Sequence, residues 1–349
     1  MTIGRKHLVN PTEPSWYHCV SRSVRLAFLC GDGKDHRKSW VVDRLKLLAG
    51  CFAVEVGGYA AMSNHLHVVV RIDPQAPLAW PAHEVAEKWL TIFPSEYLSD
   101  GTPVAPSRKT IAARAADHGW ITERRKRLGD LGWFMKALKE PIARRANRED
   151  GCTGAFWEGR FRSTALLDEA AVLACLVYVD LNPIRAKAAA TPEASEYTSV
   201  QDRIHARQYH AARVGATKAG APEGTRRLFS RLDPRAQPRH AEDGLWLWEL
   251  GKIRGGRQFL TVDEYLAIVD ATGRAVRAGK RGAIDASVAA VLTRLGLDTE
   301  AWLTSMTVGR QMGGTGIGSV TARAVEAKRR RGGWVANKCL LFVEQRTAA

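Results

Sequence analysis

The chain has 349 residues, 45% of them hydrophobic, enough for one large or two smaller packed domains. It contains no run of about eighteen uncharged apolar residues, and the start MTIGRKHLVNPTEPSW lacks the apolar stretch of a secretory signal, so a cytoplasmic, non-membrane protein is expected. With 52 Lys and Arg against 36 Asp and Glu, the net charge is +16 and the isoelectric point near 9.9, an excess suited to a polyanionic partner that makes nucleic acid the first candidate.

In chain order, Ser15 to Ser21 (SWYHCVS) is rich in β-prone residues and reads as a strand, and Lys38 to Ala49 has apolar residues at helical spacing. Cys51 to Tyr59 and His65 to Ile72 read as two further strands joined by a short polar connection. Prolines from Pro74 to Pro106 then punctuate a stretch that reads as an irregular insertion, 74–130, with a helix near Ala82 to Ile92 and a basic run, ERRKR, at Glu123 to Arg127. Gly132 to Ala146 is a helix pattern interrupted by Pro141, and Ala155 to Leu166 is strand-like. Asp168 to Leu181 is a strongly apolar helix stopped by Pro183. This completes an α+β domain over 1–200. Residues 201–241, rich in Arg, Ala, Gly and His, read as a linker or mobile arm. A mainly helical region over 242–349 follows, with helices at Thr261 to Val276, Ala283 to Leu295 and Ser319 to Arg331.

Six scattered cysteines form no CxxC pair, which argues against a disulfide framework or a structural zinc site. The glycine-rich GGTGIGS at Gly313 to Ser319 lacks the Lys-Ser/Thr of a nucleotide cradle, so ATP binding is rejected.

The chemistry concentrates in two places. In SNHLHVVVR, a strand's period of two sends His65 and His67 to one face and Leu66, Val68 and Val70 to the other. Two imidazoles on a rigid strand are a start for a divalent metal site, although an HxH triplet alone is more often two ordinary histidines. Tyr178 and Asn182, four residues apart, share a helix face, with Asn182 in the last turn before Pro183. Tyr178 could serve as nucleophile and the Asn182 amide could complete a metal shell; a buried aromatic with a bonded hydroxyl is the plainer alternative.

Four ordered stretches, WYHCVSRSV, AAMSNHLHVVV, GAFWEGRFRS and LVYVDLNPIRA, resemble the single-tyrosine transposases of the HUH endonuclease superfamily, in particular the transposase-like proteins associated with repetitive extragenic palindromes. The last stretch is similar to that branch's Tyr-x-x-x-Asn-Pro-x-Arg-Ala signature, and together the four span roughly residues 15 to 190 outside the insertion. Ser63 stands where the family commonly has proline. The resemblance implies a ferredoxin-like antiparallel sheet with helices on one face. It also implies Mg2+ or Mn2+ on His65 and His67 with Asn182 as the third, polar ligand, and Tyr178 as nucleophile. Attack on single-stranded or hairpin DNA would leave a 5′-phosphotyrosine and a free 3′-hydroxyl, so that ends are rejoined without ATP. The same resemblance admits a homodimer with a composite active site and a nucleoid-associated location.

Several residues are candidates for DNA contact. Arg160 and Arg162 are two apart on the expected strand, and Arg22, Arg25 and Arg71 lie near the same sheet. Trp157 or Phe156 could stack an unpaired base, with a core role as the alternative. The runs Arg124 to Arg127 and Lys328, Arg329, Arg330 and Arg331 read as backbone-binding patches or simply solvated faces. Two other readings stay open: a catalytically inactive, domesticated DNA-binding protein of the same fold, and a metal-dependent hydrolase of a small substrate, which explains neither the charge nor the Tyr/Asn spacing.

Overall fold

Rich in β-branched and aromatic residues, SWYHCVSR and HLHVVVRI form β1 (Ser15–Arg22) and β3 (His65–Ile72), with β2 (Val54–Ala61) between them in sequence. The structure, a computed structural model, describes residues 8–99, 102–217, 246–250, 260–277, 292, 297–307, 314–330 and 335. The chain divides into two compact units: residues 1–56, 61–167 and 325–335 in the first, and 57–60, 168–324 and 336–349 in the second.

The first unit adds α1 (His36–Cys51), α2 (Ala76–Ala79), α3 (Ala82–Ile92), α4 (Arg108–Ala115), α5 (His118–Leu128), α6 (Leu131–Glu149) and β4 (Arg162–Leu166). The strand order is β2-β3-β1-β4, and β1 pairs antiparallel with both β3 and β4. With α2 to α5 set aside as an insertion, the sequence β1-α1-β2-β3-α6-β4 and this strand order make the ferredoxin-like α+β fold expected from the sequence. The register fixes what each face carries. Cys19 stands opposite Val68 and Tyr17 opposite Val70, and with Leu66 these are at most 2% exposed. The opposite face carries His18, Arg22, His65, His67 and Arg71. A slip of one residue would send the histidines into the apolar side and the valines out, at ~1.5–3 kcal/mol for each large apolar side chain displaced.

Within residues 74–130 the expected helix over Ala82–Ile92 is present as α3, and α2, α4 and α5 are three further helices where irregular chain was expected. The starts of α4 and α5 are capped: Ser107 Oγ accepts from Thr110 N–H at 3.1 Å and Asp117 Oδ1 from Trp120 N–H at 2.9 Å. Pro77 and Pro81 sit at helix starts, where a missing N–H costs little. The insertion leaves and returns at one point, since Ala53 N–H donates to the Leu128 carbonyl at 3.0 Å and Asp73 N–H to the Ala53 carbonyl at 2.9 Å. Gly129 permits this closure: a Cβ there would stand 2.9 Å from Pro74 Cα.

Pro141 does not break its helix; α6 runs unbroken through it. Proline leaves the carbonyl four residues back, Ala137, without its helical donor. Arg44 on α1 supplies one, with Nε donating to the Ala137 carbonyl at 3.0 Å and Nη2 to the Ile92 carbonyl at the end of α3 at 2.9 Å. Arg44→Met is therefore expected to cost about 1–3 kcal/mol. In a Pro141→Ala background, where residue 141 regains its N–H, urea titrations should show that cost reduced by about 1 kcal/mol; equal costs in both backgrounds would refute the substitution of arginine for the missing helical bond.

Two strand boundaries also moved. The helix α1 continues through Cys51, so β2 begins at Val54 rather than Cys51. The expected strand over 155–166 shrinks to β4 plus a single bridge between Ser23 and Trp157, with a bend over residues 158–160 between them.

The second unit holds α7 (Glu169–Asp180), α8 (Asn182–Arg185), α9 (Ser199–Thr217), α10 (Val262–Arg277), α11 (Thr299–Thr307), a two-residue strand β5 (Gly316–Ile317) and the start of α12 (Val320–Arg329). Asp168 caps α7, its Oδ1 accepting from Ala171 N–H at 2.9 Å, while its Oδ2 accepts from Ser319 N–H at 2.7 Å, which gives the end of the GGTGIGS stretch a structural role. The expected linker from 201 is corrected: residues 201–217 belong to α9, whose Val200, Arg203 and Ala206 are buried at helical spacing. Residues 218–245 and nearly all of the expected helix Ala283 to Leu295 lie outside the described residues. At the centre, buried Asp180 accepts from the Ser199 and Tyr265 hydroxyls and from Val200 N–H at 3.1 Å. Burial pushes its carboxyl up to about 6, while these hydrogen bonds oppose the rise. No described helix is long and apolar enough to cross a membrane.

Candidate functional site

The strand β3 opens with His65 and carries His67 one repeat on, so the two rings emerge side by side with centroids 4.9 Å apart and planes at 83°. His65 Nδ1 is hydrogen-bonded to Asn64 Oδ1 at 2.6 Å. His67, 5% exposed, shares a 2.8 Å hydrogen bond between its Nδ1 and His18 Nε2 on β1, and these two rings stack nearly parallel at 5.1 Å. Burial, then the charges of His18, His65 and Arg22, holds the His67 imidazolium well below its usual range, so the ring is neutral at physiological pH.

This donor set fits a divalent metal. Neutral imidazole is the ligating form, and a hydrogen bond held at Nδ1 makes Nε2 the atom that a histidine offers to a metal. Asn64 and His18 are then the outer partners that fix ring orientation. Among the described residues no three His, Cys, Asp or Glu side chains form a metal-holding group.

His18 escaped the sequence reading. Its motif, WYHCVS, was singled out, and strand alternation puts His18 on the face of Trp16 and Val20. Only the cross-strand register, with Val20 opposite His67 and His18 opposite Val69, turns that into a neighbour of His67.

Three expected DNA-contact residues share the histidine face. Arg22 stands opposite His65, Arg71 opposite Trp16, and Arg162 opposite Val20. Arg71 is paired with Glu55 at 2.6 Å, and Arg162 is exposed. Arg160 does not share a strand face with Arg162, because it lies in a bend before β4. Arg25 is exposed in the turn after β1, with φ 54° and a backbone locked by bonds of the Ser23 N–H and hydroxyl to the Asn64 carbonyl, both at 2.9 Å. Trp157 is half-buried with Nε1 donating to the Lys139 carbonyl at 3.0 Å, and Phe156 is a core residue, 3% exposed. A small recess beside His65 is lined by Asn64, Cys30, Phe156 and Trp157. Lys328 is exposed, whereas Arg329 and Arg330 both close on Glu326, at 2.6 and 2.7 Å; Arg331 lies outside the described residues.

Tyr178 and Asn182 belong to the second unit. The helix α7 ends at Asp180 and Leu181 caps it, so Asn182 opens α8 rather than completing the last turn of α7. Proline at position 183 forces that break, since it disfavours helical dihedrals before it yet suits the first turn of a new helix. Tyr178 is 6% exposed, and the Arg185 guanidinium carbon lies 5.2 Å from its ring centroid, with Arg185 Nη1 also donating to the Met306 carbonyl.

No protein-family model matches the chain, and no curated protein matches it. Among solved structures the chain is similar to one described as a REP-associated tyrosine transposase bound to a REP hairpin, at 10% identity, covering 58% of this chain and 86% of that chain, with a TM-score of 0.34.

Proposed function

We propose that this chain is a metal-assisted DNA endonuclease and strand transferase, with Tyr178 as nucleophile and His65, His67 and Asn182 as ligands of Mg2+ or Mn2+. The carrying observation is the pair of oriented imidazoles on β3, of which His67 is held neutral, on a sheet face shared with Arg22, Arg71 and Arg162. The four sequence stretches quoted above support single-stranded or hairpin DNA as the substrate. His65, His67 and Asn182 would hold the divalent cation, which would supply positive charge to offset the negative charge growing on the reacting phosphate. The arginines of the same face position the backbone through charge-assisted hydrogen bonds. Tyr178 Oη attacks phosphorus, a Tyr–O–P bond forms as the P–O3′ bond breaks, and the proton lost by the phenol ends on the departing 3′-oxygen. One phosphodiester replaces another, so a second 3′-hydroxyl can reverse the step.

The test is incubation of labelled hairpin DNA with the protein and Mn2+, followed by a denaturing gel. A labelled adduct in the wild type, absent from Tyr178→Phe and His65→Ala, is expected. A non-catalytic DNA-binding role is favoured by one observation, the 6% exposure of Tyr178; tight DNA binding with no adduct would establish it.

The hydrogen bond between His18 and His67 predicts a graded effect. His18→Ala removes the group that orients His67 and is expected to weaken Mn2+ binding, measured by calorimetry, by about 10- to 100-fold. Unchanged affinity would show that His67 keeps its orientation without this partner.

A further inference from the structure

Away from the histidine face, the insertion carries a second assembly of charge and aromatic rings. Residues 108–128 hold seven Lys and Arg against two acidic residues, Asp117 and Glu123. Two of these arginines alternate with tryptophans from three helices. The Arg124 guanidinium carbon lies 4.5 Å from the Trp120 ring centroid on α5 and 5.3 Å from that of Trp89 on α3. That of Arg127 lies 5.7 Å from Trp89 and 4.1 Å from Trp133 on α6. Arg114, 5.6 Å from Trp120, and Lys136, 4.7 Å from Trp133, extend the row at its two ends.

Cation–π contacts of this kind contribute about 0.5–2 kcal/mol each, but lining up like charges opposes them. Arg127 has a counter-charge, Glu123, at 2.6 Å. Arg124 has no ion pair among the described residues, and its Nε is buried without a hydrogen bond. Its guanidinium is held below its ordinary range by burial and then by the charge of Arg127. A guanidinium held between indole rings has fewer rotamers to lose on binding, and its N–H donors form the fork that matches a phosphate. With Glu123 beside Arg127 and Glu140 4.0 Å from Lys136, the cations of the row still outnumber the carboxylates paired with them, an excess that a repeating anion relieves.

We propose that this Arg–Trp row is a docking platform for the phosphate backbone of a DNA strand, distinct from the histidine face and independent of any chemistry at Tyr178. An acidic protein surface would engage the charges at no fixed spacing; a DNA strand carries one phosphate per nucleotide, a regular repeat for a row of spaced cations.

Fluorescence anisotropy with a labelled single-stranded oligonucleotide, in chelator so that no cleavage occurs, tests this across a salt series. The full chain is compared with Arg114→Gln/Lys136→Gln, which neutralises the two exposed ends of the row, and with Arg124→Gln, each melted to check folding. Loss of each phosphate contact should lower the slope of log K against log salt by about 0.7, and the double variant should bind about tenfold more weakly at low salt. Should Arg124→Gln unfold the insertion, the double variant, whose side chains are exposed, still decides. Wild-type affinity and slope in the double variant would overturn the platform, as would displacement of the DNA by polyglutamate at equal charge concentration, which would indicate an acidic protein partner. Failure to form the tyrosine adduct would leave this slope difference standing, and an adduct formed with an unchanged slope would sink the platform alone.

Discussion

Tyr178→Phe is expected to lower the rate of DNA cleavage and joining by on the order of 10⁴-fold or more, because removing a nucleophile leaves only the contribution of binding and charge stabilisation. The substitution is informative because it changes little else. Tyr178 is 6% exposed on α7, so its ring is part of the second unit's packing, and phenylalanine preserves both that volume and an aromatic face for Arg185. Deleting the hydroxyl should cost about 1 kcal/mol of stability, and the affinity for hairpin DNA should stay within about threefold, since one hydrogen bond is at stake against many phosphate contacts. Three readouts on one variant therefore separate the possibilities. Lost adduct with retained melting temperature and retained binding identifies a nucleophile. Lost binding along with lost adduct would instead make Tyr178 a packing or recognition residue, and retained adduct would move the chemistry to another side chain.

How much of this was legible in the sequence depends on the range over which each interaction acts. Side-chain alternation is local, so the shared face of His65 and His67 and the bounds of β3 follow from HLHVVVRI directly. The N-cap of α7 by Asp168 is equally local. The partnership of His18 with His67 spans two strands and depends on register, so the motif containing His18 could be noticed without its role being assigned. The passage of α6 through Pro141 depends on Arg44, nearly a hundred residues earlier, so proline read alone suggested an interruption. The insertion misled for a compositional reason: its prolines fall at helix starts and between helices, where they are tolerated, yet in the sequence they read as breakers. The start of α9 misled in the opposite way, because one of its buried positions is Arg203, which donates to the Gly57 carbonyl at 2.7 Å and hides the apolar period. Asn182 shows the limit of spacing arguments: four residues from Tyr178 in sequence, it lies across a helix break caused by its own neighbour, Pro183.

Asp150→Asn is expected to destabilise the first unit by about 2 kcal/mol at neutral pH, less than the ~3–5 kcal/mol for breaking a fully buried pair, because Asp150 is 20% exposed and Glu149 remains. The cause lies in Arg37 on α1, whose side chain is 0% exposed. Its guanidinium donates to Glu149 Oε2 at 2.8 Å, to the Leu29 carbonyl at 3.0 Å and to Asp150 at the C-terminal cap of α6. Lys34 adds a second cation on Asp150 at 2.8 Å. Hydrogen bonds from Arg37 and then Lys34 hold the Asp150 carboxyl down to about 2, against an ordinary value of 3.8. A carboxylate whose folded value is depressed contributes stability that is complete above the ordinary value and is lost as pH falls through the folded one. The gap between wild type and Asp150→Asn, measured as the shift in urea midpoint, should therefore be constant from neutral pH down to about 4 and shrink as pH falls from there through about 2. A gap that persists undiminished at the lowest pH would mean that Asp150 acts through shape at the end of α6 and not through its charge.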